Sequence, residues 1–307
     1  RKRMKLGLLS AILSECTFEQ VIDYAAEIGY QSVEVACWPN EKASRRYAGT
    51  CHIDVEHLSY QRADEILKYC EKKKIEISAL AYYPNPLTPD LDAREKSVMH
   101  ICRLIDAANI LGISTVNTFI GKDREKTVSE NLKLFRRIWP DIIEYAEKKK
   151  VRIGIENCPM YFSQDEWPGG NNLASTPEIW EELFESIPSR YFGLNYDPSH
   201  LFLQRIDYIK PLYHFKEKIF HVHFKDIRID QDKLNRVGIF SPPLSYMEPK
   251  VPGLGQIDWA AFVSALYQIG YQGAACVEIE DKAFENTTED IILAVKLGYR
   301  YMHQFVG

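Results

Sequence analysis

The sequence predicts one closed (β/α)8 barrel, a TIM barrel, spanning residues 1–307 as a single α/β domain. Three observations predict it. Short apolar runs recur along the chain, and they are continuous rather than alternating, as strands covered on both faces are. Amphipathic stretches at helical spacing separate them. The two kinds of segment alternate strictly through eight pairs, the number that closes a TIM barrel. At roughly 100–200 residues per domain the length would also allow two domains, but α/β barrels routinely run this long. An open doubly wound sheet is the runner-up, and it lacks a Gly-x-Gly-x-x-Gly turn after the first strand. Gly253-x-Gly255 lies late in the chain with no strand directly before it, and reads as a turn.

Taken in order, the expected strands are 5–9, 32–36, 75–80, 114–119, 152–156, 191–195, 219–224 and 274–279. In the first helix Phe18, Val21, Ile22, Ala25 and Ile28 form one apolar stripe. The capping box Thr17-x-x-Gln20 opens that helix and Gly29 closes it. Further helices are expected at about 63–73, 92–111, 125–149, 177–186, 206–216, 258–269 and 287–305. No internal repeat, low-complexity segment or Pro/Gly/Ser linker interrupts the alternation, which supports one domain.

Composition excludes several classes. Apolar residues make up 46% and charged residues 26%, as in ordinary globular chains rather than disordered or fibrous ones. No apolar run approaches the roughly 18 residues of a membrane span, so no membrane partner is expected. The 38 Lys+Arg against 43 Asp+Glu give a net charge of −5. That balance argues against nucleic acid as a partner, since nucleic-acid-binding domains carry a basic surface. The seven cysteines are scattered, odd in number and without a CxxC pair, so zinc-knuckle and thioredoxin-like motifs are excluded. Free thiols of this kind suit a reducing compartment, and a cytoplasmic location is expected. Residues 1–9 lack the apolar core and cleavage site of a signal peptide. The sequence leaves a homo-oligomer open.

Three loops are long, at about 37–62, 158–176 and 226–257. All follow C-terminal ends of expected strands, the face where a barrel builds its active site. Trp38, Tyr47 and His52 lie in the first, and Tyr161, Phe162 and Trp167 in the second. Such aromatic residues either stack on a sugar ring or pin the loops to the rim.

The late strands end in chemistry. The fifth ends Gly154-Ile155-Glu156-Asn157, and the sixth leads into Asp197-Pro198-Ser199-His200. The seventh reads His221-Val222-His223-Phe224-Lys225-Asp226, and the eighth ends Val277-Glu278-Ile279-Glu280. Each has an ordinary structural explanation when taken singly. Asp197 before Pro198 could be a helix cap, His221 could be a hydrogen-bonded core histidine, and Glu280 reads as a pocket or surface residue. Four such ends at one face are harder to explain separately. Together they make a mixed oxygen–nitrogen site suited to a hard or borderline divalent cation rather than a thiolate metal.

Gly-Ile-Glu-Asn, Asp-Pro-Ser-His, His-Val-His-Phe-Lys-Asp, Pro-Gly-x-Gly and Val-Glu-Ile-Glu resemble segments of the xylose isomerase-like TIM barrels, described as sugar phosphate isomerases/epimerases. The resemblance covers essentially the whole chain and is strongest from Glu156 to Glu280. It implies one divalent metal ion, Mn²⁺ foremost among Mn²⁺, Mg²⁺, Co²⁺ and Zn²⁺, held by Glu156, Asp197, His223 and Glu278. It places His200 at a position that contacts substrate oxygens or a second metal in relatives. It also implies Glu156 and Glu278 as the catalytic acid–base pair of a sugar isomerase or epimerase.

A divalent cation on adjacent carbonyl and hydroxyl oxygens acidifies the neighbouring C–H and stabilises an enediolate. A carboxylate beside that carbon can remove the proton. Return of the proton to the opposite face gives epimerisation, and return to the next carbon gives aldose–ketose isomerisation. A hydride shift is the alternative route. Lys225 follows His223 at period two and is expected to bind an oxygen or pair with Asp226. Lys122, Trp38 and His221 are further candidates for contact with a small sugar or sugar-derived substrate. No Walker-type loop is present, so a phosphorylated substrate is not demonstrated.

Three rivals remain. Lyases of the same fold, including inosose and dehydroshikimate dehydratases, decarboxylases and C-glycoside-cleaving subunits, begin with the same proton abstraction. An endonuclease IV-like phosphodiesterase would need extra zinc ligands, whereas Tyr82-Tyr83-Pro84, Val116-Asn117-Thr118 and Asp232-Lys233-Leu234 stand at those places. A non-catalytic sugar-binding barrel is the third.

Overall fold

A computed structural model describes residues 3–41, 49–162 and 166–307. Eight parallel strands close a barrel: β1 (Lys5–Leu9), β2 (Ser32–Ala36), β3 (Glu76–Ala81), β4 (Thr115–Thr118), β5 (Arg152–Glu156), β6 (Phe192–Tyr196), β7 (Ile219–Phe224) and β10 (Ala274–Val277). Closure is made between β1 and β10, where Lys5 pairs with Ala274 and Leu8 with Val277. The intervening strands β8 (Asp226–Ile229) and β9 (Met247–Lys250) form a separate antiparallel pair over the mouth.

The helices α1 (Phe18–Ile28), α2 (Tyr60–Lys73), α3 (Leu91–Leu111), α4 (Val128–Lys149), α5 (Pro177–Ser186), α9 (Trp259–Gln268) and α10 (Thr288–His303) pack outside the barrel. Thr17 and Gln20 form the expected reciprocal cap of α1, and Gly29 ends it with φ +115°. That left-handed geometry costs a glycine nothing and other residues roughly 1–2 kcal/mol. Trp139, Trp180 and Trp259 are among the largest fully buried side chains between strands and helices.

Two segments depart from expectation. The helix expected at 206–216 is instead α6 (Pro198–Leu203) and α7 (Lys210–His214). Pro198 and Pro211 each occupy a first turn, where the missing N–H costs nothing; Pro211 could not sit inside the longer helix without breaking it. Arg205, with φ +60°, makes the break between them. The long loop at 226–257 is an ordered excursion holding β8, α8 (Gln231–Val237) and β9. Its last strand, Met-Glu-Pro-Lys, lacks β-branched residues, so propensity gave no signal there.

Asp226 fastens this excursion to the barrel. Its carboxylate accepts hydrogen bonds from the N–H groups of Ile227 (2.9 Å), Gly253 (2.9 Å), Gly255 (3.1 Å) and Ile257 (3.1 Å), and from Trp259 Nε1 (2.8 Å). A Cβ on Gly255 would lie 2.2 Å from Asp226 Oδ1, so the turn must be glycine there. Asp226 is thus a loop anchor, and Lys225 pairs with other carboxylates. Among the described residues, no helix is long and apolar enough to cross a membrane.

Candidate metal centre

Strand register brings the polar residues to one end of the barrel. Glu156 is the last residue of β5 and pairs with Asn195 of β6, which pairs in turn with His221 of β7. Asp197 follows β6 directly, His223 is the penultimate residue of β7, and Glu278 follows β10 directly. One ligand atom from each of Glu156, Asp197, His223 and Glu278 falls within 4.8 Å of the other three.

In three of the four, one atom is tied down by the protein and another faces the centre. Glu156 Oε2 accepts from the Cys158 N–H at 2.7 Å. Asp197 Oδ1 accepts from the Ser199 N–H at 2.8 Å and its hydroxyl at 2.7 Å, capping α6 as a structural aspartate would. His223 Nε2 donates to Glu34 Oε1 at 2.6 Å, leaving Nδ1 turned inward. Asp197 Oδ2, His223 Nδ1 and Glu278 Oε2 are buried and make no hydrogen bond. A buried polar atom without a hydrogen bond costs about 1–3 kcal/mol, offset in part here by the Lys225 ammonium 3.3 Å from two of the three. Three of them pointing at one another, with carboxylate and imidazole chemistry, fit the donor set of a divalent cation.

The backbone beneath is fixed by two asparagines. Asn157 donates to the Asp197 carbonyl at 2.9 Å and accepts from its N–H at 2.8 Å, locking the ends of β5 and β6 together. Asn172, from the loop after β5, donates to the carbonyls of Glu156 (2.9 Å) and Cys158 (2.6 Å).

Burial and charge compete throughout the cluster. Burial alone would raise Glu156, but the His200 ring at 3.3 Å leads the charges that hold it down to about 2. Burial also works against the Glu278 carboxylate, and Lys225 at 3.3 Å and His223 at 3.0 Å hold it well below the usual range. Burial wins at Asp197, whose carboxyl is raised. It would strip the proton from Lys225, but Glu278 and Glu280 outweigh it, so Lys225 stays a cation. His223 is likewise pushed down by burial but raised further by Glu34 and Glu278.

A cavity of about 340 Å³ opens above the cluster, with Glu156, His200, His223, Lys225 and Glu278 in its floor and wall. His200 Nε2 lies 3.3 Å from both Glu156 and Asp197 and 3.0 Å from Lys225 Nζ. Trp38 and Phe162 line the cavity. Lys122 does not reach it and donates to the Gly169 carbonyl at 2.6 Å. His221 lies one layer lower inside the barrel, bonded to Ser78 (3.0 Å) and Asn195 (3.1 Å), and does not touch the cavity. His52 and Trp167 pin loops, through Ser10 and Leu13 and through the Phe240 carbonyl respectively. Tyr161 packs edge-on against Trp167, and Tyr47 lies outside the described residues.

Sequence reasoning missed Glu34, Tyr83, Asn157 and Asn172. Glu34 is fully buried and receives the Tyr83 hydroxyl as well as His223. The one available signal was a carboxylate inside the apolar run Ser-Val-Glu-Val-Ala.

Fold and site together define a closed α/β barrel with a carboxylate–imidazole cluster, a candidate metal centre, at its C-terminal mouth. More particularly, the chain belongs to the xylose isomerase-like TIM barrel family, whose sequence model matches residues 22–302. It is 24% identical over 303 residues to the YfiH protein of Bacillus subtilis, covering 91% of this chain and 93% of that one. It is 26% identical over 294 residues to an inosose dehydratase of Clostridium tetani, covering 92% and 89%. Among solved structures, IOLI protein with a bound zinc atom superposes with a TM-score of 0.70 at 19% identity, covering 99% and 100% of the two chains. A D-psicose 3-epimerase solved with D-fructose gives 0.72 at 14% identity, covering 99% and 100%. The relatives matched by sequence thus include an inosose dehydratase, and the epimerase and IOLI structures share the fold.

Proposed function

We propose that the protein is a divalent-metal-dependent sugar isomerase or epimerase that moves a proton beside a carbonyl. The observation that carries this reading is the convergence of Asp197 Oδ2, His223 Nδ1 and Glu278 Oε2, three buried atoms without a hydrogen bond, closed by Glu156. Glu156, Asp197, His223 and Glu278 would hold the cation, with Mn²⁺ foremost and Mg²⁺, Co²⁺ or Zn²⁺ as alternatives. When bound, it would supply Lewis acidity toward adjacent substrate oxygens.

The chain's own residues supply the rest. Glu156 and Glu278, held ionised by His200, His223 and Lys225, are bases on two sides of the cavity floor. One takes the proton and the other is placed to return it. The ammonium of Lys225 is aimed where negative charge develops on the substrate oxygen. His200, in reach of two carboxylates, binds a hydroxyl and passes a proton. Trp38 offers a face to the sugar ring. The seven free cysteines fit a cytoplasmic location.

A dehydratase of the same fold is the second reading. Lys225 and His200 stand 3.0 Å apart beside the carboxylates, and a proton donor so close to a base can protonate a departing hydroxide. The inosose dehydratase relatives favour this branch.

The test is incubation of metal-reconstituted protein with ketoses and inososes in D2O. Deuterium in recovered or isomerised sugar supports proton transfer, while a dehydrated product selects the lyase branch. Absence of both across the panel rejects the reading.

A further inference from the structure

All seven cysteines are free thiols, and two of them face each other. Cys37, directly after β2, forms an isolated antiparallel bridge with Cys51. The hydrogen bonds of the bridge flank the two cysteines rather than join them. The Trp38 N–H donates to the Thr50 carbonyl at 3.1 Å, and the His52 N–H donates to the Ala36 carbonyl at 2.9 Å. The backbone of Cys37 itself is engaged elsewhere. Its N–H donates to the Ala81 carbonyl at 2.8 Å, and its carbonyl accepts from His100 Nε2 at 2.7 Å.

Cys37 and Cys51 are therefore a non-hydrogen-bonded pair, the place in an antiparallel ladder where opposed side chains stand closest. Cα atoms there lie roughly 4.5 Å apart. A disulfide accepts Cα separations of about 4.4–6.8 Å, provided the two Cβ atoms point the same way. Directly opposed residues meet that condition, because their side chains leave one face of the ladder together. Cys276 in β10 is opposed to Gly7 and His223 instead.

Both sulfurs are available. Cys37 Sγ–H donates to the Val35 carbonyl at 3.3 Å and Cys51 Sγ–H to the Ile53 carbonyl at 3.5 Å, both weak bonds. Cys37 is buried, whereas Cys51 is half-buried and is the sulfur that a small reagent reaches first. Burial raises both thiols, Cys51 to about 11, so thiolate is scarce and attack is slow. The same shift denies the reduced pair the stabilisation that makes some disulfides easy to reduce. A bond here forms slowly and, once made, is retained.

We propose that Cys37 and Cys51 are a reversible disulfide site, closed by exchange with a low-molecular-weight disulfide and fixing Trp38 on the cavity rim. The Cys51 thiolate attacks one sulfur of the small disulfide, breaking its S–S bond and releasing one small thiolate. The Cys37 thiolate then attacks Cys51 Sγ and expels the second. Two protein thiols are oxidised, one small disulfide is reduced, and the two protein protons end on the two departing thiolates. In a reducing compartment the pair is open at rest and closes when the small-thiol pool is oxidised. Trp38 feels the bond because its amide belongs to the bridge and its ring lines the cavity beside Tyr83, 5.7 Å away. Closing a loop of about 15 residues also restricts the unfolded chain, which favours the folded one.

In the test, the native chain is equilibrated with hydroxyethyl disulfide at rising ratios to mercaptoethanol. Remaining thiols are trapped in denaturant with N-ethylmaleimide, and the peptides are mapped by mass spectrometry. A Cys37–Cys51 crosslink is expected while the other five cysteines carry the label. The oxidised chain is expected to melt about 5 °C higher and its Trp38 amide to exchange about ten-fold more slowly. Mercaptoethanol should reverse all of these, and Cys51→Ser should show none of them. The map of the unmutated chain decides the pairing by itself. A mixed disulfide that stops at Cys51, a crosslink that forms only in urea, or another cysteine pair that closes first would overturn it. A Cys37–Cys51 bond that leaves melting and Trp38 exchange unchanged would overturn the fixing of the rim.

Discussion

Glu34 and His223, 189 positions apart in the chain, meet inside the barrel with Oε1 2.6 Å from Nε2. The contact orients the imidazole so that Nδ1 faces Glu156 at 3.7 Å and Glu278 at 3.0 Å. Carboxylate partners of this kind hold a ligating ring in place and raise its basicity, and their loss typically costs ~10–100-fold in metal affinity. Glu34→Gln is therefore expected to weaken Mn²⁺ or Co²⁺ binding by about that factor with the fold intact. Calorimetric titration beside a circular dichroism melt checks it; unchanged affinity would remove Glu34 from the site.

Cation binding is expected to release a proton. His223 is raised well above 6.5 because Glu34 and Glu278 outweigh the effect of burial, so its ring is an imidazolium before the ion arrives. Without the ion, that raised value stabilises the fold fully below pH 6.5 and is lost as pH rises through the folded value. An ion taking Nδ1 must displace its proton, so apparent affinity should climb with pH, up to about ten-fold per unit. Titrations in buffers of different ionisation enthalpy read the proton directly. A pH-independent affinity with no proton release would rule out Nδ1 as a donor.

His221 has the opposite sign. Burial lowers it to about 4 from 6.5, so the folded chain refuses a proton that the unfolded chain accepts. Its contribution is complete above pH 6.5 and is lost as pH falls toward about 4, amounting to roughly 3 kcal/mol. His221→Asn, which cannot titrate, should be less stable near neutrality but lose less between about pH 7 and about pH 4.5. Urea midpoints across that range test the slope, and parallel curves for the two proteins would sink the assignment.

Asp226→Ala removes the acceptor for five donors and should cost at least about 3 kcal/mol. Gly255→Ala forces a Cβ to 2.2 Å from the same carboxylate and should disturb the excursion with a smaller loss. Melting temperatures and limited proteolysis between residues 230 and 250 would report it; a protease pattern like that of the parent in both variants would contradict the anchoring role.

The barrel was legible because eight apolar runs and seven strong amphipathic helices leave little else to build, and because capping signals such as Thr17 and Gly29 act locally. That Glu156, Asp197, His223 and Glu278 would converge was legible because polar groups at the ends of buried strands are conspicuous, and the family resemblance singled out these four. Glu34 and Asn172 were not, since their meaning lies wholly in partners elsewhere in the chain, His223 for one and the carbonyls of Glu156 and Cys158 for the other. Lys122 shows the converse: a cation after a barrel strand looks functional until the loop bearing Gly169 takes it. Period two placed His221 and His223 on one face, but a spacing carries no depth, and one ring lies a layer below the other's chemistry.

Asp226 sits next to Lys225, so the knot that fastens the excursion and the ammonium at the floor share one stretch of backbone. A flap hinged there could not swing out without dragging the cation off Asp197 and Glu278. The excursion therefore behaves as masonry rather than as a door. Among the described residues, access to the floor then falls to rotation of rim side chains such as Leu244, which lines the cavity and is 44% exposed.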